Sequence, residues 1–273
     1  MAVDEPLIRL LAFAGVFLAL AGLEFVRPRR VQAVARWARW PGNLGLLAIS
    51  ALVLRVLFPL GAVIGALWAQ ERGVGLLNLA AAPAWLEILL ALVLLDLAVW
   101  AQHVAFHRLP WLWRLHRVHH ADQELDVTSG LRFHPVEIVL SMGVKIAVVV
   151  ALGADPLAVV LFEVLLNAAA MFAHANIALP AWLDRGLRAV LVTPDMHRIH
   201  HSTIRQETDS NFGTILSAWD RIFRLYRREP RLGQLGMTIG LDEFREAGDL
   251  RLGRLLTLPF GGPAPAPRAG SSR

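Results

Sequence analysis

The chain of 273 residues contains no cysteine and a single lysine, Lys145. Without cysteine it can form neither a disulfide nor a thiolate metal site, so any metal must be bound by histidine, aspartate or glutamate. Charge of either sign is also scarce, because 18% of the residues are charged and 56% are hydrophobic. Soluble domains carry about 25% charged residues. This composition therefore favours an integral membrane protein.

The net charge of +5 comes almost entirely from arginine. These arginines lie beside long apolar segments, where basic residues are expected to flank a membrane. We therefore interpret the basic balance as a membrane signature and expect no nucleic-acid partner.

Five apolar segments approach the length of about 20 residues that a spanning helix needs. They are residues 7–26, 44–68, 85–102, 136–152 and 156–172. The last two are separated by three residues only, which predicts a tight helical hairpin. Arg55 falls inside the second segment, where a charge costs about 2.5–3.5 kcal/mol on insertion scales. We expect Arg55 to face the bundle or a water-filled cavity.

The loop arginines orient these segments. Five arginines lie between the first two segments, whereas Arg72 is alone between the second and third. The positive-inside rule places the first of these loops in the cytoplasm. The segment after residue 102 and everything after His174 are then cytoplasmic too. The sequence thus predicts an all-α integral membrane bundle of about four to five spans, in a bacterial inner membrane, with a cytoplasmic helical cap. Residues 31–40 are predicted to form an interfacial helix.

The ten histidines all fall at the side predicted to be cytoplasmic. Eight of them form three motifs: an HxxxH motif and two HxxHH motifs, with members His103, His107, His116, His119, His120, His197, His200 and His201. Residues three and four apart share one face of a helix, so each motif can present its imidazoles together. Neutral imidazole is a common ligand of iron, zinc and copper. The motifs therefore predict a histidine-rich dimetal site.

Local signals add to these motifs. Thr193 and Pro194 suit the N-cap and first position of a helix that would carry the last HxxHH motif. Asp96 lies on the same helical stripe as His103 and His107. It is interpreted either as a hydrogen-bond partner that fixes an imidazole tautomer or as a partner of Arg55.

Glu163 and Asn167 form a second stripe with His174. This stripe either supports the site or makes a hydrogen bond between helices. Taken alone, His134 and His174 would more often be polar residues anchored at the membrane interface than ligands.

These motifs resemble the fatty acid hydroxylase superfamily, also called the sterol desaturase family. The resemblance covers about residues 84–228, and both the order and the spacing of the motifs match. The matching stretches are DLAVWAQHVAFHRLPWLWRLHRVHH at 96–120, RFHPVE at 132–137, FAHAN at 172–176, MHRIHHS at 196–202 and DSNFGTILSAWDRIFRLY at 209–226.

The resemblance implies a membrane-bound non-haem diiron oxygenase that hydroxylates or desaturates fatty acyl chains, sterols or hopanoids, carotenoids or related lipids. By this resemblance, the eight motif histidines correspond to the metal ligands of the family, and His134 and His174 correspond to further ligands. We expect Asp96, Asn176, Asp209 and Asn211, which lie in the matching stretches, to support the ligands. Ala170 stands where some hydroxylases have a further histidine, so the pattern is nearer to that of sterol desaturases.

The cofactors implied are two iron ions, with O2 as co-substrate. The sequence shows no cytochrome b5-like segment, so we expect electrons from a separate protein of the ferredoxin or cytochrome b5 type with its reductase. The lipid substrate is expected to reach the site from the bilayer. We divide the chain into N-terminal membrane helices (1–83), a catalytic domain (84–228), a cytoplasmic C-terminal segment (229–260) and a disordered tail (261–273).

Three other functions fit some of these features. A histidine-rich membrane metal-binding or transport protein without oxygenase activity is the main alternative, although histidines in transporters tend to lie at mid-membrane depth. A b-type cytochrome needs few histidines, between opposing spans. A zinc hydrolase needs three histidines and a water. Neither explains two HxxHH motifs.

Overall fold

The computed structural model describes residues 5–80 and 82–261 of the chain. Within these ranges the protein is helical and has no β-strand, with only isolated bridges between extended residues. The predicted all-α class is therefore confirmed. The α-helices are α1 Glu5–Val26, α2 Arg36–Leu57, α3 Val63–Arg72, α4 Leu76–Ala80, α5 Ala84–Arg108, α6 Pro110–His120, α7 Pro135–Leu152, α8 Pro156–His174, α9 Ala181–Leu187, α10 Pro194–His200, α11 Arg205–Thr208, α12 Ala218–Ile222, α13 Gly233–Gly236 and α14 Leu252–Thr257.

Five of these helices, α1, α2, α5, α7 and α8, are long and apolar enough to cross a membrane. Helix α5 packs against both α7 and α8, while α1 packs on α8 and α2 on α7. Their shared core is made of small and aliphatic side chains with Phe162, such as Ala91, Leu95 and Val149. The predicted bundle of membrane-spanning helices is thus present, with α5 at its centre.

Prolines and caps fix where the helices of the site begin. Proline occupies the first turn of α6, α7, α8 and α10, where its missing N–H costs no hydrogen bond. Between α7 and α8, Gly153 adopts a left-handed conformation (φ 63°) that ends α7. Asp155 then accepts a hydrogen bond from the Leu157 N–H (2.7 Å), which starts α8. The predicted short turn is therefore present, but α7 and α8 do not form the predicted tight hairpin, because each helix packs on α3 and α5 more than on the other.

The second span differs from its prediction at 44–68. Helix α2 begins earlier, at Arg36, and ends at Leu57, because Pro59 and Gly61 (φ 56°) interrupt the apolar segment before α3. The predicted interfacial helix at 31–40 is wrong as well, since residues 31–35 are not helical and residues 36–40 form the first turn of α2. Arg55 therefore lies in the last turn of α2, where it is exposed instead of facing the bundle, and donates to the Pro59 carbonyl (3.3 Å).

A buried ionic network joins α2 to the segment that follows α6. The guanidinium of Arg39, which has no solvent exposure, donates to both carboxylate oxygens of Asp122 (2.9 and 3.0 Å) and pairs with Asp126. Ser129 donates to Asp122 (2.7 Å) as well. Although burial opposes ionisation, Arg39 and Arg132 hold the pKa of Asp122 below its usual value. This network fixes residues 121–131 directly after the first HxxHH motif.

The segment at 229–260 returns to the bundle. Leu255 and Leu258 are buried against Leu46 of α2 and Val118 of α6, so this segment covers the outside of the histidine-bearing helix. Of the predicted disordered tail at 261–273, residues 262–273 lie outside the described residues.

We predict that Arg39→Met destabilises the protein by about 3–5 kcal/mol, because the buried carboxylates of Asp122 and Asp126 lose their counter-ion. Chemical or thermal denaturation of the detergent-solubilised chain measures this. Arg55→Met, which removes an exposed arginine from the same helix, is the matched control and should change stability by no more than about 0.5 kcal/mol. Equal stability of the two variants would contradict the role given to the network.

Candidate metal centre

Four helices end at one layer of the molecule and bring nine histidines to it. The last turns of α5 carry His103 and His107, and α8 ends with His174. The two HxxHH motifs lie on short helices, α6 and α10, that are held against these spans. As predicted, the side chain of Thr193 caps α10 by accepting a hydrogen bond from the Met196 N–H (3.4 Å). The helix ends thus place histidines that are distant in sequence within one buried region.

The nine imidazoles form two groups, and in each group one ring nitrogen per residue lies within 4.8 Å of all the others. The first group consists of His103, His107, His116, His120 and His200, and the second of His119, His174, His197 and His201. The groups adjoin each other, since the His120 and His201 rings stack with their centroids 4.5 Å apart. The arrangement offers two neighbouring positions for metal ions.

In four of these rings the inner nitrogen, Nε2, faces the other histidines, and the outer nitrogen, Nδ1, has a hydrogen-bond partner outside the two groups. These outer hydrogen bonds define the tautomers of the rings. The Nδ1 atoms of His103, His174 and His200 lie 2.7–2.8 Å from the backbone carbonyls of Phe212, Ala170 and Ser210. A carbonyl can only accept, so these Nδ1 atoms carry the proton and the Nε2 atoms carry a lone pair.

The Nδ1 atom of His116 lies 2.7 Å from a carboxylate oxygen of Glu137. Such an outer carboxylate or carbonyl partner is the usual support of a metal-binding histidine.

The inner nitrogens of these rings approach each other closely. His103 Nε2 lies 3.1 Å from the Nε2 atoms of both His116 and His200, and His174 Nε2 lies 3.1 Å from that of His119. Because the protons of His103 and His200 are on Nδ1, their Nε2 atoms face each other as two acceptors, which repel unless a cation lies between them. At a metal–nitrogen distance of about 2.1 Å, ligands at a right angle are about 3.0 Å apart. The residues therefore fit metal ions.

Burial favours the neutral form of an imidazole, which is the form that binds a metal ion. Burial, and after it the neighbouring histidines, lowers the pKa of five histidines in the two HxxHH motifs well below the usual value. They are His119, His120, His197, His200 and His201. Both ring nitrogens of His120 are buried and lack a hydrogen-bond partner within the described chain. A buried polar atom without a partner is costly, and a bound metal ion would supply one.

His134, the tenth histidine, belongs to neither group. Its Nδ1 accepts from the Val136 N–H (3.2 Å) at the start of α7, and its Nε2 lies 3.2 Å from the Leu256 carbonyl. It thus joins the N-terminus of α7 to the C-terminal segment.

Of the four residues expected to support the histidines, Asp96 and Asn176 have hydrogen-bond partners elsewhere in the chain. Asp96 contacts neither an imidazole nor Arg55, because its carboxylate accepts from Trp219 Nε1 (2.8 Å) and Leu216 N (3.1 Å). Asn176 instead exchanges two hydrogen bonds with the backbone of Arg30 (3.0 and 2.9 Å).

Asp209 and Asn211 lie nearer to the site. An oxygen of Asp209 is 3.6 Å from His107 Nδ1. Asn211 has a positive φ of 54° and donates to the Met196 carbonyl in α10 (2.9 Å). Asn211 therefore ties the segment that carries Ser210 and Phe212 to the helix of the last motif.

Two further supporting acids were missing from the sequence prediction. Glu137 contacts His116, as described above. Asp220 accepts hydrogen bonds from Trp100 Nε1 (3.0 Å) and from the backbone N–H groups of Phe212 and Gly213 (2.9 Å each), and burial raises its pKa. It thereby holds the carbonyl that accepts from His103. Both acids lie in the stretches that carry the resemblance, which was the only signal in the sequence.

A cavity of about 430 Å³ opens beside the histidines. It runs between α2, α5, α7 and α8, and both histidine groups contribute to its wall. Most of its other lining is apolar, including Leu54, Val99, Met142 and Phe162. An apolar molecule in this cavity would lie against the centre.

Comparison with known proteins connects this centre to one family. The family model described as fatty acid hydroxylase matches residues 88–224, which is half of the chain. The match contains all nine clustered histidines.

Among curated proteins, the chain is 29% identical over 150 residues to the ornithine lipid hydroxylase OlsE of Rhizobium tropici, covering 55% of this chain and 44% of that protein. It is 24% identical over 149 residues to the alkylglycerol monooxygenase of Homo sapiens (52% and 31%) and 26% identical over 162 residues to that of Danio rerio (57% and 34%). The chain thus spans less than half the length of these relatives. No solved structure has a significant match.

We predict that His174→Ala lowers the metal bound per chain, because the second group has only four histidines, whereas His134→Ala leaves the metal content unchanged. Elemental analysis of the purified variants after identical metal loading tests this. Equal losses in both variants would show that His134 is also a ligand, and no loss in either would remove His174 from the site.

Proposed function

The chain belongs to the fatty acid hydroxylase family, and we propose that it is an oxidoreductase that uses O2 and two non-haem iron ions to oxidise a C–H bond of a membrane lipid. The observation that carries this proposal is the pair of adjoining histidine groups, whose inner nitrogens approach to about 3.1 Å while their outer nitrogens are held by carbonyls and Glu137. The relatives, an ornithine lipid hydroxylase and alkylglycerol monooxygenases, support a lipid substrate.

Iron and O2 follow from the chemistry that such a reaction needs. An unactivated C–H bond resists the acids and bases that side chains offer, so its oxidation is left to a metal or another cofactor. Bound iron would supply the redox chemistry of O2 activation, with electrons from a separate carrier protein. The nine histidines would hold it, five around one position and four around the other.

The protein's own residues position the ligands and the substrate. Glu137 and the carbonyls of Phe212, Ser210 and Ala170 fix the orientation of four rings. The apolar cavity would bind an alkyl segment against the centre and exclude water from it. Oxidation would occur at the carbon of the lipid that lies nearest the histidines. The placement of that carbon would decide whether the product is an alcohol or a double bond.

The alternative functions account for fewer of these features. A metal transporter needs a path for the ion, whereas eight of the nine grouped histidines are buried and their outer nitrogens, where partners are seen, bond to fixed carbonyls or Glu137. A b-type cytochrome would use two histidines on opposing helices, and a zinc hydrolase three. Neither function requires nine converging imidazoles.

We further propose that the chain lies in a bacterial inner membrane with the metal centre and the described C-terminal segment on the cytoplasmic side. The arginine-rich loop after α1 supports this orientation, and one of the relatives is bacterial. Electrons would then come from a cytoplasmic carrier, a ferredoxin or a cytochrome b5-type protein with its reductase.

We predict that His119→Ala and His200→Ala, one variant in each group, abolish lipid oxidation while the protein still inserts into the membrane. Each removes a ligand from a different metal position. Lipid mass spectrometry of cells with and without the protein is the measurement, and the wild type should add one oxygen or remove two hydrogens. Arg55→Met is the control and should retain this product. Unchanged product in both histidine variants would refute the ligand assignment.

Metal analysis separates the oxygenase from the alternatives. The proposal expects about two iron ions per chain and no haem absorption. Tightly bound zinc alone in active protein, or haem absorption, would contradict it.

We also predict that a reporter fused after the last residue is active in the cytoplasm, because two pairs of crossings follow the arginine-rich loop. A pair of reporters, one active only in the cytoplasm and one only outside it, gives opposite signals for the two orientations. Activity of the outside reporter would invert the proposed topology.

A further inference from the structure

The cavity beside the histidines has a second polar end, which the metal centre does not use. Arg9, Lys145 and Glu163 line it on the side away from the histidines. These residues come from α1, α7 and α8, three helices that can cross the membrane. A charged cluster inside an otherwise apolar membrane cavity is expensive, and such residues usually serve a substrate or ion.

Helix geometry gives the separation between the two ends. Lys145 lies eight residues after Glu137, the α7 residue that contacts His116, which corresponds to about 12 Å along the helix. Glu163 lies eleven residues before His174, or about 16 Å along α8. The separation is about half of the 30 Å hydrocarbon thickness of a bilayer.

Lys145 shares its acidic partner, Glu163, with Arg9. Its ammonium donates to one carboxylate oxygen of Glu163 (2.8 Å), while Arg9 pairs with the other oxygen. An ammonium has three donors, and Glu163 is the only hydrogen-bond partner of Lys145 in the described chain. Among the described residues that line the cavity, the other carboxylate is that of Glu137, which lies at the metal end. Lys145 can therefore still bind an acceptor that enters the cavity.

A cross-link between helices is the competing explanation. Lys145 and Glu163 do join α7 to α8, which both pack on α5. However, Arg9 already supplies Glu163 with a cation at its other carboxylate oxygen, so balancing the charge of Glu163 does not require Lys145 as well. Lys145 is also the only lysine of the chain, and its compact ammonium binds a single anionic group as a point charge.

We propose that Lys145 binds an anionic group of the lipid substrate, a carboxylate or a phosphodiester, while the alkyl chain extends through the cavity to the metal centre. This inference rests on the proposed function, because it assumes that the cavity receives a lipid. It names the substrate class as an anionic amphiphile that is oxidised far from its charged group, about 12–16 Å away.

Binding of two probes that differ only in charge tests the proposal without any oxidation. Radiolabelled palmitate and hexadecanol are titrated onto the purified full-length chain in a nonionic detergent at pH 8. Lys145→Met should weaken palmitate binding by about tenfold or more, or about 1.4 kcal/mol, and should leave hexadecanol binding unchanged. Lys145→Arg should restore the palmitate affinity. Arg55→Met removes a cation that does not line the cavity and should change neither probe.

Three results would overturn the proposal. The first is equal affinity of the wild type for palmitate and hexadecanol. The second is unchanged palmitate affinity in Lys145→Met. The third is equal weakening of both probes in that variant, which would indicate that Lys145 only links the helices. The first comparison needs no variant and so does not depend on whether Lys145→Met folds. Melting temperatures of the variants show whether the fold is intact.

Competition identifies the source of the anion. Displacement of palmitate by phosphatidylglycerol in the wild type would assign the Lys145 site to a phospholipid, and no displacement would assign it to a free fatty acid. The outcome is separable from that of the proposed function. Lys145-dependent binding without any oxidised lipid would leave this site standing and refute the oxygenase, whereas oxidised lipid with charge-independent binding would do the reverse.

Discussion

The close approach of neutral imidazole lone pairs is the constraint on which the structure depends. Nine rings are packed so that inner nitrogens such as those of His103 and His200 lie 3.1 Å apart. Burial lowers the pKa of His200 well below its usual value, which favours the neutral ring. Two such acceptors repel each other in a low-dielectric interior unless a cation compensates them. The surrounding structure must therefore hold the rings so that their lone pairs converge where a cation can compensate them.

The supports of the site serve that requirement. The Nδ1 atoms of three of these histidines bond to main-chain carbonyls, which a side-chain rotation cannot remove. One of these carbonyls, that of Phe212, is in turn fixed by Asp220. The segment after α6 is held by the buried pairs of Arg39 with Asp122 and Asp126. Rigidity at the centre thus comes from helix ends and buried ion pairs, and the membrane-spanning helices supply the frame.

Sequence periodicity predicted the spans and the ligands because both depend on local repeats. Apolar length identified five helices that can cross a membrane, and the i, i+3, i+4 spacing identified eight histidines, which α5, α6 and α10 do bring together. The prediction failed where tertiary contacts decide. Asp96 shares a helical stripe with His103, yet its carboxylate accepts a hydrogen bond from the indole of Trp219, which is more than a hundred residues away in the sequence. Glu137 and Asp220 have no spacing that marks them, since their partners come from other helices.

The placement of charge along the cavity carries one more physical consequence. Reaction specificity in an apolar cavity is weak when only methylenes are recognised, because one methylene contributes about 1–3 kcal/mol of discrimination. A polar contact at a fixed distance from the metal centre would instead fix how far the alkyl chain of the lipid extends toward that centre. Lys145 and the histidines occupy opposite ends of one cavity, and α7 and α8 fix the distance between them. In a rigid membrane bundle, the spacing of residues along α7 and α8 would thus determine which carbon of the lipid is oxidised.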